Sequence, residues 1–118
     1  MNTIKYNKLN LKKDQFLLDM GCGEGRHSIG ALLETSANIV GLDLSLGDLN
    51  IAKSRLNDFD LSNIDTHCTF GAGNINNIPF KSESLDSVVC SEVLEHIDSP
   101  EESIKELIRV LKLSLIHI

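Results

Sequence analysis

The amino-acid sequence predicts a doubly wound α/β fold built on a parallel sheet of about four strands with flanking helices. Two observations predict it. Short apolar runs alternate with stretches of helical periodicity through the chain, the pattern of parallel strands joined by right-handed crossovers. Three glycines at alternate positions, Gly21, Gly23 and Gly25, fall where the first apolar run gives way to the first helical stretch. A tight strand-to-helix turn of this kind lies at the carboxyl end of a sheet strand, where such folds bind ligands.

The first strand is Phe16-Leu17-Leu18-Asp19-Met20, a nearly continuous apolar run of the kind buried on both faces. Arg26 to Thr35 then spaces Ile29, Leu32 and Leu33 at helical intervals, and Ser36-Ala37-Asn38 breaks the pattern. The second strand, Ile39-Val40-Gly41-Leu42, ends at Asp43. Ser45 is the predicted N-cap of a second helix, which carries Leu49, Ala52 and Leu56 on one face and ends near Asn57 to Asp60. Thr66 to Phe70 is the third strand, followed by the turn-rich stretch Gly71 to Asn77 and then Ile78-Pro79-Phe80. Leu85 to Ser91 is the fourth. Ser99-Pro100-Glu101-Glu102 opens the last helix with an N-cap serine, a proline at the first helical position and acids in the first turn. Ile104, Leu107, Ile108 and Leu111 form its expected buried stripe.

The totals restrict what this fold can do. A chain of 118 residues holds a single domain. Hydrophobic residues at 42% and charged residues at 24% exclude disordered and fibrous classes. Cys22, Cys68 and Cys90 are odd in number and lack metal-ligand spacing, so neither a disulfide framework nor a metal site is expected. Lys5, Lys8, Lys12 and Lys13 precede the first acid, leaving 7 basic against 17 acidic residues in the remainder. A body of that sign repels a nucleic-acid backbone. No apolar run approaches the roughly 18 residues of a membrane span, and Met1 to Asn10 lack the apolar segment of a signal peptide. The expected compartment is the cytoplasm; no feature bears on oligomeric state.

The glycine turn favours one kind of adenosine-containing ligand over another. In the dinucleotide fingerprint G-x-G-x-x-G the third glycine would stand where Arg26 is, and here it comes one residue early. Asp19 and Glu24 flank the turn and would oppose a pyrophosphate, whereas they suit a ligand with an ammonium and a sulfonium. Asp43, 18 residues beyond Gly25, is placed to accept hydrogen bonds from both ribose hydroxyls.

These segments resemble the class I S-adenosylmethionine-dependent methyltransferases, in the small-molecule branch that includes enzymes of ubiquinone and menaquinone biosynthesis. Leu17 to Gly25 is similar to that family's first motif, Val40 to Ser45 to its second-strand motif, and Gly73 to Phe80 to its adenine loop. Leu85 to His96 and Leu107 to Lys112 resemble its fourth strand and following helix. The resemblance covers residues 16–112 in the family's order and implies a Rossmann-like sheet, S-adenosylmethionine as cofactor and methyl transfer to a small-molecule acceptor. It implies that Asp19, Gly21 and Gly23 surround the methionine portion, with Cys22 and Gly25 also in the cofactor site, that Asp43 binds the ribose, and that Leu44 and Ile75 sandwich the adenine. Asn74 would face the exocyclic amine, at a position where the family commonly has aspartate. Ser91 and Glu92 would lie near the sulfur, with Glu95 and His96 towards the acceptor. His96 is a weak candidate for a general base, since displacement at a sulfonium methyl can proceed by alignment alone.

The family continues after the Arg109-to-Lys112 motif with a Pro-Gly-Gly turn and three more strands, whereas here Leu113-Ser114-Leu115-Ile116-His117-Ile118 follows. That tail resembles the translation of a transposon-end sequencing adapter; the alternative is an ordinary apolar strand. The expected organisation is a leader over 1–15, an incomplete cofactor-binding core over 16–112 and a non-native tail over 113–118. Truncation at that point would leave the fourth strand as an unpaired edge exposing Val88 and Val89. Two other functions fit the sequence: a non-catalytic cofactor-binding scaffold and, less well, a nucleotide-dependent oxidoreductase.

Overall fold

The computed structural model describes residues 11–90, 100–112 and 116–117. The elements run β1 (Phe16–Met20), α1 (Arg26–Glu34), β2 (Asn38–Asp43), α2 (Leu46–Asn57), β3 (Cys68–Ala72), β4 (Ser87–Val89), α3 (Pro100–Val110) and β5 (Ile116–His117). They form one sheet of order β3-β2-β1-β4-β5, and every strand pair in it is parallel. This is the doubly wound α/β class. After β1 the chain steps outward through β2 to β3, then returns past β1 to β4, so the strand order reverses between β1 and β4. A crevice opens at the carboxyl ends on such a reversal.

β1 is the middle of the sheet, and Leu17 and Leu18, which point to opposite faces, are both buried. Around Leu18, Met20, Leu42 and Val88 pack Leu107 and Val110 of α3 with Ile75 and Ile78 of the loop after β3. Around Leu17, Ile39 and Val89 pack Ala31 and Leu32 of α1. A third cluster of Cys22, Ile29, Leu49, Ala52 and Phe70 fills the space beneath the glycine turn. Register aligns the carboxyl ends: Met20 pairs with Leu42, and Asp43 with Ala72.

Three expectations are corrected. β3 lies two residues later than Thr66 to Phe70, because pairing with Ile39 to Asp43 draws Gly71 and Ala72 into the ladder; these are weak strand formers that read locally as turn. On α3 the buried residues are Ser103, Leu107 and Val110, whereas Ile104 and Ile108 are 36% and 57% exposed. The helix is rolled because its inward face also docks polar groups of the loop after β3, with the Ser103 hydroxyl donating to Asn76 Oδ1 at 2.7 Å. Finally, β4 is not an unpaired edge. β5 pairs with it, Val88 opposite Ile116 and Val89 opposite His117, and both valines are at most 1% exposed.

Helix termini follow local chemistry. Ser45 caps α2, its hydroxyl accepting the Asp48 N–H at 3.2 Å. α3 begins at Pro100 with Glu101 and Glu102 in its first turn, where acids complement the helix dipole. The predicted cap Ser99 lies outside the described residues.

Candidate functional site

The turn between β1 and α1 is held in shape by left-handed backbone and by the end of β2. Gly21, Gly23 and Gly25 have φ of 76°, 55° and 86°, values at which side chains are strained. The N–H groups of Gly21 and Cys22 both donate to the Leu42 carbonyl, at 2.7 and 2.9 Å. The glycines then do different work. A Cβ on Gly25 would stand 2.9 Å from Ala52 Cβ and from Phe70 Cζ, so Gly25 lets α1 close on the core. A Cβ on Gly23 would meet nothing within 4 Å. The space over Gly23 is open, and its backbone is what a ligand there would touch.

Asp43 joins this turn to the next one. One carboxylate oxygen accepts the Gly23 N–H at 2.8 Å and the other accepts the Ser45 N–H at 2.9 Å. Each oxygen keeps a further lone pair, and the half-buried side chain can still accept from outside. Asp19, one strand over, is only 2% exposed and accepts the Ser28 hydroxyl at 2.7 Å. Burial pushes its carboxyl up from 3.8 to about 6, and the negative charge of Asp43 adds to the rise, while the Ser28 hydrogen bond opposes it. Burial likewise pushes the Cys22 and Cys68 thiols up to about 12 and Cys90 to about 11, so these free cysteines stay protonated at neutral pH. Glu24, in the turn itself, is exposed and lies 3.8 Å from Arg55 of α2. Asp19 is the acid that faces inward.

Leu44 follows Asp43 and is 68% exposed at the sheet's carboxyl end, as is Leu46 at the start of α2. Across the loop after β3, Ile75 is buried in the core cluster. Asn74 is exposed, and its Oδ1 accepts the Asn76 N–H at 2.9 Å in a turn closed by an Asn74–Asn77 bridge. That bond aims the side-chain oxygen and leaves it one lone pair for another donor. Ser91, Glu92 and the weak candidate His96 lie outside the described residues.

Three residues important to the site were not singled out from sequence. Ser28 stands beside Ile29 on the buried face of α1, and a polar residue at a core-facing position is itself a signal that a partner waits inside. Glu106 and Arg109 pair at i, i+3 on α3, which sequence can suggest. Their reach back to Ile78 and Phe80, described below, needs the tertiary structure.

Comparison with known proteins agrees with this geometry. The methyltransferase domain family matches residues 18–114. A demethylmenaquinone methyltransferase of Paenarthrobacter aurescens (strain TC1) is 30% identical over 109 residues, covering 92% of this chain and 39% of the relative. A ubiquinone biosynthesis O-methyltransferase of Coxiella burnetii (strain Dugway 5J108-111) is 31% identical over 100 residues, covering 85% of this chain and 40% of the relative. This chain thus spans about 40% of the length of such relatives. Among solved structures, the YcgJ protein of Bacillus subtilis superposes with a TM-score of 0.78 at 20% identity, over 91% of this chain and 44% of that one. With the family matched over most of its length and the sheet carrying its glycine turn at the carboxyl ends, the chain belongs to the methyltransferase domain family.

Proposed function

We propose that this chain forms the cofactor half of an enzyme that transfers a methyl group from S-adenosylmethionine to a small-molecule acceptor. One observation carries the reading: the Asp43 carboxylate sits on the Gly23 N–H beside open space, with exposed Leu44 next to it. A ribose fits against Asp43, whose oxygens keep lone pairs for its two hydroxyls. Leu44 and Ile75 offer apolar contact to the two faces of the adenine, and Asn74 Oδ1 an acceptor to its amine. Gly21, Cys22, Gly23 and Gly25 form the turn that follows Asp19, whose carboxylate, once ionised, favours a cationic group over a phosphate.

When bound, this cofactor supplies a methyl group already activated on a sulfonium. The residues of this chain bind and orient it, and the packed glycine turn keeps water from one side of it. Among the described residues no ion pair involves Asp19, and its ionised carboxylate favours the sulfonium cofactor over NAD. The acidic balance of the chain supports a small-molecule acceptor rather than nucleic acid, and the three protonated thiols are in keeping with a cytoplasmic setting. No helix among the described residues is long and apolar enough to cross a membrane.

Calorimetric titration of S-adenosylmethionine and of NAD into the chain, with Asp43→Ala as control, tests the reading. Binding of S-adenosylmethionine that the substitution weakens at least about tenfold supports it. Heat from NAD alone sinks it.

A further inference from the structure

We propose that Glu106 and Arg109 of α3 are positioning residues for adenine recognition, acting through the loop of residues 74–80 rather than by contact with the base. The inference rests on the cofactor reading above and adds to it a source of base specificity on the far side of the loop.

Both backbone polar groups of Ile78 bond to these two side chains, and its carbonyl also accepts the Phe80 N–H at 2.8 Å. Its N–H donates to Glu106 Oε2 at 2.6 Å, and its carbonyl accepts from Arg109 Nη2 at 2.9 Å. Arg109 Nη1 reaches on to the Phe80 carbonyl at 2.9 Å, and Nη2 also donates to Glu106 Oε2 at 2.8 Å. Between Ile78 and Phe80 stands Pro79, which has no N–H, so this stretch cannot join a strand ladder. Ile78 is nonetheless buried, and buried backbone groups need partners. A planar guanidinium that forks onto the Ile78 and Phe80 carbonyls, charge-balanced by a carboxylate that takes the Ile78 N–H, stands in for the missing ladder. Arg109 beside it also holds the Glu106 carboxyl below the usual carboxylate range, so the pair stays charged.

A second tie runs from the same helix to the residue at the base edge. The Ser103 hydroxyl donates to Asn76 Oδ1 at 2.7 Å, and the Asn76 N–H donates to Asn74 Oδ1 at 2.9 Å. Ser103 thus ties α3 to Asn76, and through it to Asn74, while Glu106 and Arg109 tie the helix to Ile78 and Phe80, fixing the loop between. The amine of adenine is a donor, whereas the oxygen of hypoxanthine at the same place is an acceptor. Which of them is accepted depends on where the Asn74 carbonyl is held.

The test is the ratio of affinities of the full chain for S-adenosylhomocysteine and for its hypoxanthine counterpart, S-inosylhomocysteine, by calorimetry. Arg109→Lys keeps the charge and loses the fork; Glu106→Gln keeps the shape and loses the charge. In each, binding of the adenine ligand weakens about tenfold while the hypoxanthine ligand changes far less, so the ratio contracts. Lys112→Ala, which removes a cation 3.4 Å from Asp86 just past the end of α3, leaves the ratio unchanged. An unchanged ratio in either folded variant, or equal weakening of both ligands, overturns the proposal; Glu106→Gln decides it if Arg109→Lys does not fold. Failure of the unsubstituted chain to bind either ligand instead overturns the cofactor reading on which the proposal stands.

Discussion

The carboxylate of Asp43 accepts the N–H of Gly23 at 2.8 Å, joining the end of the second strand to the turn after the first. Its other oxygen holds the Ser45 N–H at the start of α2. One side chain therefore sets two loops, and on the proposed reading the same oxygens accept from a ribose. Asp43→Ala leaves both N–H groups without that acceptor, so the chain loses about 1 to 3 kcal/mol of stability. Affinity for S-adenosylmethionine falls by about tenfold to a hundredfold. Asp43→Asn keeps one oxygen and loses less stability. Chemical denaturation and calorimetric titration of the two variants check both quantities; an Ala variant that binds as tightly as the parent refutes the role.

Asp19 makes stability depend on pH in a direction opposite to that of most carboxylates. Its carboxyl is pushed up from 3.8 to about 6 by burial first, with Asp43 adding. The folded chain therefore holds a proton there that the unfolded chain releases between pH 4 and pH 6. The contribution of this group is fully present below about 3.8 and is lost as pH rises through about 6. Asp19→Asn can still accept from Ser28 and carries no charge, so it is more stable than the parent at pH 7 by about 3 kcal/mol. That advantage vanishes near pH 4. Urea denaturation of both proteins from pH 4 to 7.5 measures it, and parallel profiles refute it.

Gly25 and Gly23 share a left-handed conformation and differ in what stands beside them. Gly25→Ala adds a Cβ 2.9 Å from Ala52 and Phe70 on top of the backbone strain, and costs about 2 to 4 kcal/mol. Gly23→Ala meets open space and costs only the backbone term, about 1 to 2 kcal/mol, yet its methyl fills the ligand's approach and abolishes binding. Melting temperature ranks the two one way and ligand affinity isolates the second. A Gly23→Ala variant with undiminished affinity places the ligand elsewhere.

What sequence made legible follows from where the determinants are local. The apolar run ending at Asp19, the glycines and the Ser45 cap are read from neighbours along the chain, and β1, the turn and the start of α2 stand where they were expected. β3 was displaced because its limits are set by pairing with β2, a relation between Phe70 and Gly41 that no window of local sequence contains. The partner of Glu24 is hidden for the same kind of reason: its charge is visible in sequence, but its approach to Arg55 depends on the packing of α2. The Asp43–Gly23 bond spans two loops. Spacing located both residues, and only the fold brought them together.

The face that α3 turns inward separates two readings of the same helix. Helical spacing made Ile104 and Ile108 core residues, but in the structure Ser103, Leu107 and Val110 are buried and those two isoleucines are exposed. Leu107 is fully enclosed by the cluster of Leu18, Leu42 and Val88, so Leu107→Ala costs about 2 to 5 kcal/mol. Replacing Ile104 and Ile108, which are 36% and 57% exposed, by Gln costs far less, about 0.5 to 1 kcal/mol per site. Equilibrium denaturation of the two variants distinguishes the faces directly. A large loss from the isoleucine pair and a small one from Leu107 would restore the stripe that spacing alone suggests and undo the roll that sets Ser103 against Asn76.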